Sequence, residues 1–450
     1  VVDMSYMFSS CRKLEFTNIT SFNTNNVKDF SKMFQECTSL LSLDLSNFET
    51  KSAENMSGFF QECSSLKDLN IKNFVTNNVI DMSHMFKDCN SLISLDVSNF
   101  DTNKVKNMSG MFSECTSLTS LEVSRFKTQN VEDMSCMFEY LHLLTSLHLR
   151  NFDTSSVTKM GKMFRHSYKL SHLDVSSFDT QKVEDMSSMF KDCSSLKYLD
   201  IRNFKTDKVT SFSLFLKECK SLTSLDFSEL NTGNAVDLSS MFSGCSNLEI
   251  IDVSKFDTSK VTNMNYMFEE CSKVTSLEVT NFKTENVESM VAMFKGCKKI
   301  KELNLLNFKT EKVIDMMLMF SECLALSSLD ITKFDTSNVK DMYAMFYKVS
   351  SITSLDVSNF KTHKCTDMSQ MFDSCYKLTS LVLTNFDTAN VEDMNKMFQN
   401  CERLEIEGIT KFDTRKVMDM SYMFKSCLWI EELDLSSFVT SEVTDMTGMF

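Results

Sequence analysis

The residue types best suited to chemistry in this chain are its 16 cysteines, six histidines and 61 acidic residues. Fourteen cysteines fall in one column of positions 26 residues apart, at 11, 37, 63, 89 and 115, at 193 to 323, and at 375, 401 and 427. Leu141, Ser167 and Val349 fill the gaps, and Cys136 and Cys365 lie elsewhere. No Cys-x-x-Cys or Cys/His spacing of a zinc site occurs. Replacement by Leu or Val fits a buried thiol that packs as a small hydrophobe. Neighbouring parallel side chains point the wrong way for a disulfide, so the column is expected to be a ladder of free thiols. Such a ladder favours a reducing compartment.

The carboxylates also form a column. Asp44, Asp96, Glu122, Asp174, Asp200, Asp226, Asp252, Glu278, Asp330, Asp356 and Asp434 share one position, and His148 occupies it once. Stacked acids repel one another. The column therefore reads either as a solvated face kept charged against aggregation or as a stripe for a basic partner or Ca²⁺. His148, His172 and Asp174 are close enough in register to suggest a metal site, but two scattered imidazoles fit plain surface residues better, and no metal or cofactor is expected. No Ser/His/Asp set, G-x-S-x-G, phosphate loop or H-E-x-x-H appears, so no catalytic residue is assigned and a non-enzymatic role is expected.

These columns exist because the whole chain repeats. The Met-Phe pair recurs every 26 residues from Phe8 to Phe450, with Leu216 replacing Phe once. Seventeen full copies and one partial copy span all 450 residues without insertion or deletion. A fixed period in this range denotes a solenoid in which each coil contacts its neighbours. Proline is absent and glycine occurs eight times, so no linker divides the chain. One repeat domain over 1–450 is expected, read as a segment of a longer chain without its caps. The net charge of −14 argues against nucleic acid. No apolar stretch is long enough to span a bilayer.

Within the coil from Val27 to Thr50, Phe30, Met33, Phe34 and Cys37 are apolar at spacing 0, 3, 4 and 7. That spacing predicts a short helix. The Asp29 column holds Asp, Asn or Ser in 17 of 18 copies, with Lys159 the exception, which suits a helix N-cap. The Met columns at that spacing read as core filler. Leu43 and Leu45 then alternate with polar residues, as in a strand with one buried face. The Phe48 column is Phe in 16 of 17 copies, and the Thr50 column is always Thr. A stacked Phe ladder and a Thr hydroxyl serving backbone groups are expected. The expected fold is α/β: a right-handed, leucine-rich-repeat-like solenoid with one short parallel strand and one short helix per coil.

Two irregularities stand out. Near Phe212 the Met-Phe pair becomes Phe215-Leu216, and the next coil carries Leu230 and Ala235. In the coils with Thr17 and Glu407 an inward strand position turns polar, while Phe16 and Ile406 sit one residue earlier, which predicts a register shift or bulge.

The phrases Ser94-Leu95-Asp96-Val97-Ser98-Asn99-Phe100-Asp101-Thr102 and Val105-Lys106-Asn107-Met108-Ser109-Gly110-Met111-Phe112-Ser113-Glu114-Cys115 resemble the 26-residue repeat of the BspA-like leucine-rich-repeat surface proteins. The resemblance covers the whole chain. It implies a cell-surface or extracellular, non-enzymatic binding or adhesion domain, whose stacked-strand face meets a protein or other macromolecule. A structural or scaffolding solenoid, with self-association, is the second reading.

Overall fold

The computed structural model describes residues 1–450 and contains two compact units, Val1–Leu230 and Asn231–Phe450. Both consist of 26-residue coils stacked in parallel. In the first unit a ladder of parallel bridges runs Asp3, Asp29, Asn55 and so on to Ser211; in the second it runs from Asp237 to Asp445. The outer strands are short. In the first unit β1 (Ser42–Asp44) pairs with β2 (Asp68–Asn70), and β3 (Ser146–Leu147) with β4 (His172–Leu173). In the second, β5 (Glu302–Leu303) pairs with β6 (Ser328–Leu329), and β7 (Ser380–Val382) with β8 (Glu405–Glu407). All four pairs are parallel, as a solenoid requires.

The predicted helix is absent, and the backbone shows why. Lys32 and Glu36 have φ of 54° and 57°, a left-handed conformation repeated at those columns along both units. A right-handed helix cannot pass through such residues. Each segment is instead a chain of tandem turns. Met7 N–H bonds to the Met4 carbonyl, Ser9 to Tyr6 and Cys11 to Phe8, each three residues back. Positive φ at the third residue of the first and third turns is the requirement of a type II turn. Every second N–H bonds across to the next coil: Met4 to the carbonyl of Asp29, Tyr6 to Ser31, Phe8 to Met33 and Ser10 to Gln35. Side chains at spacing 0, 3, 4 and 7 still face inward, and Phe30, Met33, Phe34 and Cys37 are all fully buried. The Asp29 side chain does cap a segment, accepting the Ser31 N–H at 2.8 Å, but what it opens is a turn chain.

Phe48, Phe74 and Phe100 are buried, yet the continuous ring stack belongs to the other Phe column. Phe8, Phe34, Phe60, Phe86 and Phe112 stack with centroids 5.1 to 6.2 Å apart. The stack runs on to Phe190, where Phe215 meets it edge-on at 77°. The irregular Phe215-Leu216 pair thus replaces one stacked ring with a perpendicular one. In the second unit the stack resumes from Phe242 to Phe450.

The Thr50 column joins coils directly. Thr50 Oγ1 donates to the Val75 carbonyl at 3.0 Å and accepts the Val75 N–H at 2.7 Å. Thr336 does the same with Lys361. A buried hydroxyl with both functions satisfied explains why Thr never varies there.

At β7–β8 the register step is 25 residues rather than 26, with Ser380 opposite Glu405 and Leu381 opposite Ile406. The shift predicted near Glu407 is present: Ile406 takes the inward position. Gly408, with φ of 93°, and the 3-10 turn Ile409–Lys411 absorb the extra residue and return Ile409 to the core. The shift predicted near Phe16 is not found. Phe16 is 62% exposed, and Leu41 N–H bonds to Glu15, a 26-residue step.

Candidate interaction face

The thiol ladder is buried and chemically quiet. All 16 cysteines are free. In the main column twelve cysteines donate Sγ–H to a Phe carbonyl 29 residues earlier, as Cys63 to Phe34 at 3.1 Å and Cys323 to Phe294 at 3.1 Å. Ser167 reproduces that bond to Phe138 at 2.9 Å. Burial pushes the Cys115 and Cys323 thiols up to about 12 and Cys37 to about 11, so nucleophilic thiolate is scarce. These residues are structural.

The acidic column lies on the outer face of the strand segment. Asp96, Glu122, His148, Asp174 and Asp226 in the first unit are exposed, as are Asp252, Glu278, Asp330 and Asp356 in the second; Asp200 is half-buried. Each carboxylate is tethered by its own chain. Asp96 Oδ1 accepts the Ser98 N–H at 3.0 Å, Asp356 that of Ser358 at 3.0 Å, and Asp252 that of Ser254 at 3.0 Å. Asp174 also accepts the Ser176 hydroxyl at 2.6 Å, and Asp330 that of Thr332 at 2.7 Å. These hydroxyl and N–H donors hold the carboxyls of Asp96, Glu122, Asp174, Glu278, Asp330 and Asp356 below the usual carboxylate range. The column is therefore charged and pre-oriented, because the tether fixes one oxygen and leaves the other toward solvent.

Ion pairs counter little of this charge. Asp200 forms a fork with Arg202, NH2 to Oδ2 at 2.8 Å. No ion pair engages Glu278, Asp330 or Asp356. Around His148 and His172 the face dips into a groove of about 460 Å³ lined by Ser171, Asp174, Tyr198 and Asp200. His172 Nδ1 is 2.9 Å from Ser171 Oγ, so its ring is occupied locally. No three His, Cys, Asp or Glu side chains converge to hold a metal ion. No helix is long and apolar enough to cross a membrane.

A second acidic column was legible in the sequence only as a cap. Asp315, Asp341, Asp367 and Asp393 open successive turn chains in the second unit, half-buried and stacked through parallel bridges. Burial raises all four carboxyls. Six consecutive Asp at 26-residue spacing, from Asp315 to Asp445, were the signal available in the sequence.

Several solved structures are similar to this chain. One is a leucine-rich repeat protein from Bacteroides ovatus, at 14% identity over 88% of this chain and 82% of that one, with a TM-score of 0.34. Another is the functional domain of InlJ from Listeria monocytogenes, whose description mentions a cysteine ladder, at 16% identity over 83% and 71%, with a TM-score of 0.33. A leucine-rich cell surface protein from Faecalibacterium prausnitzii is 14% identical over 82% and 79%, with a TM-score of 0.28. At these scores the assignment to a solenoid rests on the ladders described above. No curated protein matches the chain. One family does, in overlapping segments 1–94, 54–146, 111–224, 141–250, 196–302, 270–383, 297–405 and 366–450. These matches tile the repeat that resembles the BspA-like surface proteins. The chain belongs to the family described as Mycoplasma protein of unknown function, DUF285.

Proposed function

We propose that this repeat array is a non-enzymatic binding domain whose strand face engages a protein or other macromolecule, in the manner of a surface adhesin. The observation that carries this reading is the tethered acidic column. Asp96, Glu122, Asp174, Asp200 and Asp226, and then Asp252, Glu278, Asp330 and Asp356, stand at one position of the coil, with their rotamers held by their own Ser, Thr or Arg neighbours. Pre-oriented side chains lose little entropy on binding, and a fixed negative row selects basic partners. His148 lies in the same row and lines the groove of the first unit. The family resemblance supports a cell-surface or extracellular setting.

The test is an array of immobilised extracellular-matrix and serum proteins, probed with the protein and with a D252N/E278Q/D330N/D356N variant. Wild-type binding to one or more of them, weakened about tenfold or more in the variant, is expected for partners that use this face. Equal binding by both proteins, or none by the wild type, contradicts the reading. A scaffolding role is the second reading, favoured by the 16 free thiols. Free thiols suit a reducing compartment, and the repeat would then serve an assembly through self-association.

A further inference from the structure

Across the core from the strand face, the turn chains carry a different surface. Two residues past the turn-opening Asp, the first unit has Ser31, Ser57, Ser83, Ser109, Ser135, Gly161 and Ser187. In the second unit the same column becomes Val291, Met317 and Tyr343 in three successive coils. Met317 and Tyr343 are half-buried, and next to them are half-buried Leu318 and Ile314, 48% exposed. Leu318 has φ of 60°, and Leu214 is the other leucine in that conformation. A left-handed backbone is unfavourable for a leucine, and here it presents an apolar side chain where Lys32, Gly58 and His84 stand in other coils. One turn on, the Ser321 hydroxyl is buried with no hydrogen-bond partner.

This apolar patch is edged by acid. Asp315, Asp341 and Asp367 are half-buried beside it, and no basic side chain is within ion-pair distance of any of them. Each carboxylate accepts an N–H of its own turn, from Met317, Tyr343 and Ser369, but none meets a cation; an apolar strip bordered by such carboxylates matches a partner that is apolar along one stripe and cationic along its flank. An anionic surface would meet like charge, and a purely apolar one would bury those acids without compensation.

We propose that the turn face around Met317, Leu318 and Tyr343 docks a basic amphipathic segment of a partner protein, with its Lys or Arg side chains on Asp315, Asp341 and Asp367. This surface is separate from the strand face. The segment binds by the apolar face of a helix, with its flanking cations setting orientation and salt dependence.

The test uses the full chain and a fluorescent amphipathic Leu/Lys helical peptide, with a Leu/Glu peptide of the same pattern as control. Anisotropy should show saturable binding of the Leu/Lys peptide alone. M317S/Y343S restores the serine of other coils, so the fold should persist, as circular dichroism and Tm will show. It should weaken binding about tenfold or more, as expected for loss of central anchors. D341N/D367N, with a residue this family of coils already uses at Asn55 and Asn107, should weaken it less and flatten its salt dependence. The same losses should follow in a D252N/E278Q/D330N/D356N background, which removes the strand-face acids as a second site for a cationic peptide. Equal binding by M317S/Y343S, binding of the Leu/Glu peptide, or co-sedimentation of the protein alone with zwitterionic phospholipid vesicles would each overturn the proposal.

Discussion

One column read in the two units shows how much chemistry a fixed backbone tolerates. In Val1–Leu230 the turn-opening position runs Asp29, Asn55, Asp81, Asn107, Asp133, Lys159, Asp185. Acids there are interleaved with neutral or basic partners. Asn55 Nδ2 donates to Asp29 Oδ2 at 3.3 Å, and Lys159 Nζ is 3.5 Å from Asp133. In Asn231–Phe450 it ends in six aspartates in succession, from Asp315 to Asp445. Two positions on, serine gives way to Val291, Met317 and Tyr343. The backbone ladder is the same in both units, while the electrostatics diverge. The ladder passes through Asp, Asn, Ser and Lys159 alike at that position; charge and exposure are free to serve a surface.

The largest expected effect lies where the units should not differ. Phe178→Ala and Phe334→Ala remove rings that are 1% and 2% exposed, and each should cost about 3–5 kcal/mol in chemical denaturation. A loss below about 1 kcal/mol in either would mean that inside and outside are misassigned there.

Next in size is glycine. Gly408 has φ of 93°, and a Cβ on it would sit 2.6 Å from the backbone nitrogen of Thr384, which cannot yield. Gly58 also has positive φ, but its Cβ would meet only side-chain atoms, those of Lys32 and Gln61, no nearer than 3.0 Å. Gly408→Ala should therefore cost about 2–3 kcal/mol and Gly58→Ala about 1 kcal/mol or less, by denaturant midpoints. Equal costs would remove the special status of the bulge.

The smallest effect separates two acidic columns of the second unit by pH. Asp315, Asp341, Asp367 and Asp393 have carboxyls raised by burial, and next by a neighbouring Asp in all but Asp315, where no second acid contributes. A raised folded value means their contribution is fully present below the ordinary carboxylate range and is lost as pH rises through the raised value. Asp330 and Asp356, held low by hydroxyl and N–H donors, contribute above the ordinary range and lose it as pH falls through the lowered value. D341N/D367N should thus raise Tm at pH 7 and leave it nearly unchanged at pH 4. A fall at pH 7 would show that those carboxylates are stabilised as anions.

Much of this was readable from columns of letters. The invariant Thr, the buried Cys column with its Ser167 substitute, the outward acids and the register shift at Ile406 all follow from burial and period. The helix did not. Spacing of 0, 3, 4 and 7 places side chains on one face of a helix and equally of a tandem-turn chain, so periodicity alone cannot choose. The deciding signal was glycine: Gly58, Gly110 and Gly448 share the Lys32 column, and Gly244 and Gly296 the Glu36 column, the two positions with positive φ. The expected Phe48 ladder also missed the main ring stack, because two buried Phe columns look alike until their neighbours are placed. Phe16 misled for a different reason: an apolar letter beside a polar one predicts a shift only if the partner coil follows, and Glu15 keeps its ordinary pairing with Leu41.

In each unit the stacked coils enclose an interior lined by reduced thiols. A thiol count on the natively isolated protein tests it most directly, with and without denaturant. Thirteen cysteines are buried, Cys136 and Cys427 are half-buried, and Cys11 is exposed. The expected result is rapid reaction of Cys11, slow reaction of Cys136 and Cys427, and all 16 thiols only after unfolding. Rapid native labelling of the main column, or thiols missing even in denaturant, would contradict it.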